Sequence, residues 1–312
     1  MFIDPFGRTV RTFQETVSEP GDLSTSWDGR DDSGEVVAPD AYIYRISAKR
    51  PSQDVTFDPS KRTGGEPVTA HSRAFKQESG QIDYVLPQPS RVRLILSQKG
   101  TGWPITTLLD WEPRTAGKQQ EVWDGWDDDK VVEARNMPNI EPVMYAFSLP
   151  DNVVIVKSDK PFTHQASGSM EVKEVAHRID GAARFLHHHA LHPRQRCFNP
   201  SIELTFLNAE TVDGVIQLVK TATLRLDVVK KQPYGRLAPI PRVTIFIFVD
   251  GVLIERNVDG YLPYNWELDL VKLGPGDHIV TGLLSWRDDH FGVRHVHVNV
   301  KTGIPTTQID SP

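Results

Sequence analysis

The densest chemistry in this chain lies in one short stretch. His187, His188, His189 and His192 fall within six residues, with His164 and His177 upstream and Cys197 just downstream. Imidazole nitrogens suit zinc, copper, nickel or iron, and a thiolate adds affinity for soft metals. On a helix, His188 and His192 stand four apart on one face, the spacing at which two side chains reach one ion. Pro193 limits how far such a helix can run. The segment therefore reads in two ways. Either His188, His192 and Cys197 bind a transition metal or supply a ligand to a cofactor, or the stretch is a polar connector without metal. Cys197 is the single cysteine of the chain, which excludes an internal disulfide, a c-type haem attachment and a multi-cysteine zinc site.

Carboxylates form a second group. Asp28, Asp31 and Asp32 recur in type as Asp124, Asp127 and Asp128. Clustered carboxylates in a loop can hold calcium, which takes about six to eight oxygen ligands. No full D-x-D-x-D-G loop is present, and the other reading is structural: each aspartate accepts backbone N–H groups and fixes a turn. Asp288, Asp289 and His290, with His295 and His297, make half a metal site or a solvated strand face. Among the tryptophans, Trp27, Trp123 and Trp266 fall at corresponding places and are expected to fill sandwich cores. Trp103, Trp111 and Trp126 are expected to stand exposed and contact a partner, a protein in preference to a carbohydrate. No nucleophile elbow, phosphate loop, H-E-x-x-H or G-x-G-x-x-G pattern occurs, so the expectation is not an enzyme.

The elements that must position these residues are β-strands. Trp27-Asp28-Gly29-Arg30-Asp31-Asp32 is followed by Tyr42-Ile43-Tyr44, and Trp123-Asp124-Gly125-Trp126-Asp127-Asp128 by Tyr145-Ala146-Phe147. A repeat at this separation marks a structural unit used twice. Fifteen positions separate Trp27 from Tyr42 and twenty-two separate Trp123 from Tyr145, so residues 133 to 141 read as an insertion. Strands are expected at 2–4, 8–13, 24–27 and 42–49 in the first unit, and around 92–96 and 143–147 in the second, from period-two alternation. Residues 56 to 84 are polar and read as a linker or long loop. Residues 159 to 200 form the His-rich connector, holding the one expected helix, roughly Met170 to His189. Residues 201 to 301 carry about seven strands with turns between them, and Val249-Asp250-Gly251-Val252 is a strong hairpin signal. Residues 302 to 312 are a tail. The fold expected is all-β: tandem immunoglobulin-like β-sandwiches with one short connector that holds the expected helix.

Composition agrees with a folded protein of several domains: 312 residues, 38% hydrophobic and 24% charged, with a formal charge of -6. The acidic balance argues against a general nucleic-acid binder. No apolar run is long enough for a membrane-spanning helix, and the N-terminal residues do not resemble a signal peptide.

Asp4, Gly7, Arg8, Val10 and Arg11, then Trp27, Asp28, Gly29 and Asp31, then Tyr42 and Tyr44 resemble the FlgD immunoglobulin-like family, over residues 1–55. Residues 85–158 resemble it a second time, with departures at Gln98-Lys99-Gly100 and at the insertion. The family has a longer strand before its first turn, of which Phe2 and Ile3 remain. Ala41 stands where the family usually has glycine. Val249-Asp250-Gly251, Pro263-Tyr264-Asn265-Trp266 and Leu273-Gly274-Pro275-Gly276-Asp277-His278 resemble bacterial immunoglobulin-like repeats over 201–301. The resemblance implies an extracytoplasmic, non-catalytic structural or accessory subunit that docks on a larger bacterial assembly, with protein partners. It implies no chemistry. An accessory subunit of a redox or metal-dependent complex and a carbohydrate-binding appendage remain as alternatives.

Overall fold

A computed structural model describes residues 1–5, 7–17, 21–49, 53–157, 200–207, 209–219, 221–229, 243–286 and 290–301. The first module contains β1 (Phe2–Ile3), β2 (Thr9–Arg11), β3 (Asp40–Tyr44), β4 (Ile46–Ala48) and β5 (Val55–Phe57). The second contains β6 (His71–Lys76), β7 (Gln81–Leu86), β8 (Ser90–Gln98), β9 (Trp103–Arg114), β10 (Gly117–Val122) and β11 (Ile140–Ser148), and is followed by β12 (Val153–Val156). The third contains β13 (Ile202–Leu207), β14 (Glu210–Val212), β15 (Val215–Leu218), β16 (Ala222–Val228), β17 (Val243–Val249), β18 (Val252–Gly260) and β19 (Tyr264–Leu268). It continues with α1 (Leu270–Leu273), β20 (Gly276–Trp286) and β21 (His290–Val300). The protein is all-β, built from β-sandwich modules of immunoglobulin-like architecture.

The third module packs the sheet β13-β16-β19 against the sheet β14-β15-β21-β20-β17-β18. Ile202, Leu204, Leu224, Leu226, Ile245, Ile247, Val280, Leu284 and Val298 form its core. Alternation puts these side chains on one face of each strand. Asp250 and Gly251 both have positive φ, the conformation of a two-residue hairpin, and Val249 pairs with Val252 across it. Strand β17 reads Val-Thr-Ile-Phe-Ile-Phe-Val without polar alternation, the pattern of a strand covered on both faces. Its odd-numbered residues enter the third core, while Phe246 and Phe248 pack against the second module.

The second module packs β10-β7-β6 against β11-β8-β9. Residues 56–84, expected as a linker, instead supply β5, β6 and β7. The overlooked signal is Ile82, Tyr84 and Leu86, which alternate with exposed or half-exposed neighbours and are buried. Polar residues on the outward face masked a strand whose inward face is apolar.

Among the described residues, the first module has a four-stranded sheet in the order β12-β3-β1-β2 and a two-stranded sheet, β4-β5. Strand β12, expected in the second module, pairs antiparallel with β3, placing Val153 opposite Ile43. The expected strand at 24–27 lies in no sheet.

Candidate functional site

The repeated Trp-Asp-Gly motif folds into the same turn twice. Trp27 Nε1 donates to the Arg30 carbonyl at 2.7 Å, and Trp123 Nε1 donates to the Trp126 carbonyl at 2.7 Å. Asp28 accepts from Arg30 N–H at 3.1 Å, as Asp124 accepts from Trp126 N–H at 3.0 Å. Asp31 accepts from the N–H groups of Ser33 and Glu35; Asp127 accepts from those of Asp129, Val131 and Val132. Asp32 then receives the N–H of Thr12, and Asp128 the hydroxyl of Thr106. An earlier strand, β2 through the residue that follows it and β9 directly, is therefore tied to the turn in both modules. These carboxylates are engaged with the protein's own donors, and calcium at either turn would have to displace them.

The two turns differ in what covers them. Trp123 is 2% exposed, packs its ring 6.5 Å from that of Phe75, and its backbone N–H donates to the Gly80 carbonyl in the β6–β7 turn. Trp27 is only half-buried, stacked on Phe2 with ring centres 4.3 Å apart and edge-on to Tyr42.

Of the three tryptophans expected at the surface, Trp103 and Trp111 are buried, at 1% and 2% exposure. Their partners are inside the chain. Trp103 lies against the third module, where a Cβ on Gly251 would come within 2.8 Å of its ring. Trp111 packs on Phe147 with ring centres 5.2 Å apart. A large aromatic surface is consumed by the nearest apolar neighbour, and the sequence does not reveal which modules adjoin. Trp126 is half-buried. His188, His192 and Cys197 lie outside the described residues. Among the described residues, no group of three or more His, Cys, Asp or Glu side chains converges as metal ligands.

Two junctions join the modules. Between the first and second, Arg91 on β8 pairs with Asp40 on β3 at 2.8 Å, and both side chains are buried. Two residues along β8, Arg93 stacks its guanidinium 4.2 Å from the ring centre of Phe291 on β21. Adjacent arginines on one face of β8 thus reach both neighbouring modules.

Between the second and third, His295 was expected on a solvated strand face or in half a metal site, and is instead 2% exposed. Its Nδ1 lies 2.8 Å from the Thr281 hydroxyl and its Nε2 3.2 Å from the Ile105 carbonyl. Thr281 Oγ1 also accepts from Trp103 Nε1 at 2.9 Å. Arg294 pairs with Asp129 beside it. Burial lowers the imidazole pKa, against the opposing pull of Asp127, Asp129 and Asp128. Burial also raises the pKa of Asp129 despite its arginine.

A groove of about 360 Å³ in the second module is lined by Arg73, Phe75, Ile82, Glu141, Pro142 and Met144. Its lining combines one cation and one carboxylate with apolar side chains, and no nucleophile stands beside a base there.

No protein-family model matches this chain, and no curated protein matches it significantly. Solved structures show only distant likeness. An endo-β-1,4-mannanase from Thermotoga petrophila aligns at 16% identity and TM-score 0.24, over 33% of this chain and 20% of that one. The central fibronectin-III array of RIM-binding protein aligns at 9% identity and TM-score 0.20, over 77% and 71%. A tetra-tandem repeat from the extending region of a large adhesion protein aligns at 10% identity and TM-score 0.21, over 87% and 58%. The chain therefore spans about a fifth of the mannanase it matches. Likeness at this level assigns neither family nor activity.

Proposed function

We propose that this chain is a non-catalytic structural subunit that docks on a larger assembly through the sheet of its first module. One observation carries the reading. In the second module, β11-β8-β9 is closed by a facing sheet, β10-β7-β6. In the first module, β3-β1-β2 repeats the former in the same order, but no three-stranded counterpart of β10-β7-β6 occurs among the described residues, where the module's other sheet is the two-stranded β4-β5. Residues 21–26 stand where β10 stands, directly before the tryptophan, yet they are exposed, with Leu23 at 64%. This stretch leads directly into half-buried Trp27, whose ring stacks on Phe2 beside half-buried Phe13, and suits β-strand addition by a partner. The module already takes one strand from far along the chain: β12 flanks β3 as the segment around Pro67 flanks β11.

The FlgD-like resemblance supports a bacterial setting outside the cytoplasm, with protein partners. Among the described residues, no helix is long and apolar enough to cross a membrane. Native purification of the endogenous protein, with mass spectrometry of co-purifying chains and metal analysis of the same sample, tests the reading. A stoichiometric protein partner is the expected result. A lone monomer carrying about one transition metal overturns it in favour of the His188, His192 and Cys197 segment, and retention on a polysaccharide without a protein partner overturns it in favour of a carbohydrate-binding appendage.

A further inference from the structure

We propose that His295 is an acid-sensitive latch between the second and third modules, neutral while they are closed on one another and charged when the junction loosens. The hydrogen bonds around the ring run in one direction. The Ile105 carbonyl can only accept, so Nε2 carries the hydrogen. Nδ1 is then bare and accepts from the Thr281 hydroxyl. The Thr281 oxygen in turn accepts from Trp103 Nε1. Every donor in this chain has one acceptor, and the chain crosses the junction twice.

A second proton, placed on Nδ1, breaks the order. Nδ1 becomes a donor aimed at an oxygen that already accepts from Trp103, and the Thr281 hydroxyl hydrogen loses its acceptor. The charge also sits in a nearly waterless site. The charged groups facing the ring come from the turn after β10: Asp127, Asp128 and Asp129. Each is engaged elsewhere, Asp127 by three backbone N–H groups, Asp128 by Thr106 and Asp129 by Arg294. Strand β9 offers the Trp103 ring and a carbonyl, β20 offers Thr281, and neither is charged. On its own strand, Arg294 adds a like charge, and His297 lies 3.6 Å from Asp277.

The sign follows from proton uptake. The closed junction holds imidazole below its ordinary value of 6.5, so it binds fewer protons than the loosened one. Closure is at full strength above that value and weakens as pH falls through it, by at most about tenfold in the closed-to-open ratio per pH unit. Asp129, raised by burial, acts with the opposite sign.

The test uses the full chain labelled with 15N histidine. Long-range 1H–15N spectra report the tautomer and titration of His295, and amide exchange at Trp103 and Ile105 reports the junction, from about pH 8 to about pH 5. The expected result is an Nε2–H neutral ring at the upper end, with the protection of both amides, measured against the intrinsic exchange rate at each pH, falling as the ring titrates. His295→Gln keeps an N–H for the Ile105 carbonyl and cannot charge, so the protection of both amides, measured against the intrinsic exchange rate at each pH, is expected to stay flat. A ring already charged or Nδ1–H at neutral pH, or the same exchange profile in wild type and His295→Gln, overturns the proposal. Should the variant not fold, the wild-type data decide: exchange that does not follow the His295 titration overturns it equally.

Discussion

At the residue scale, side chains that look like chemistry are spent on holding backbone. Asp127 reads as a calcium ligand by type, yet it accepts three N–H groups in its own turn. Removing it leaves buried donors without partners. Asp127→Ala is therefore expected to lower stability by about 1–3 kcal/mol, measured by denaturant unfolding, with the loss unchanged by added calcium. Gly80 is constrained by close approach. Its φ is +70°, and a Cβ there would lie 1.9 Å from the Trp123 carbonyl oxygen. Gly80→Ala is expected to destabilise by at least about 1 kcal/mol, read as a lower melting temperature. The aspartate role was legible from Asp-Gly spacing, because turn chemistry is local. The role of His295 was not: its partners Thr281 and Ile105 come from another strand and another module, and nothing in Arg294-His295-Val296-His297 announces burial.

At the element scale, strands declared themselves where one face is apolar and the other polar. Strands β13, β16, β17, β20 and β21 lie where alternation or apolar runs put them, because each strand's own side chains decide which face is buried. Strands β6 and β7 were hidden by a polar composition that looked like a linker. The segment before Trp27 failed in the opposite sense. Its residues favour a strand, but a strand needs a partner, and no β7 counterpart lies beside it among the described residues. The hairpin at Asp250-Gly251 was readable from two residues. What it packs against was not, since Trp103 lies about 150 residues earlier. Trp103→Ala removes a fully buried indole at that contact and is expected to cost about 3–5 kcal/mol. It is also expected to separate the unfolding of the second and third modules, seen as two calorimetric transitions in place of one.

At the scale of the whole molecule, the modules are coupled by buried polar contacts. The Arg91–Asp40 pair is out of water on both sides, so removing Arg91 takes the guanidinium away from a buried carboxylate. Arg91→Ala is expected to destabilise the contact between the first and second modules by about 3–5 kcal/mol, read as protease cleavage appearing around residues 49–58 at concentrations that leave wild type intact. Charge pairs of this kind set which modules sit together, and their long sequence separation is why the sequence could divide the chain into units without showing how the units join.

The central claim is that the first module is closed by a partner's β-structure. Hydrogen exchange at residues 22–27, compared between the purified chain and the same chain within its native assembly, tests this most directly. Fast exchange in the isolated chain and strong protection in the assembly is the expected pair of results. Strong protection already present in the isolated chain, or unchanged fast exchange in the assembly, would contradict it.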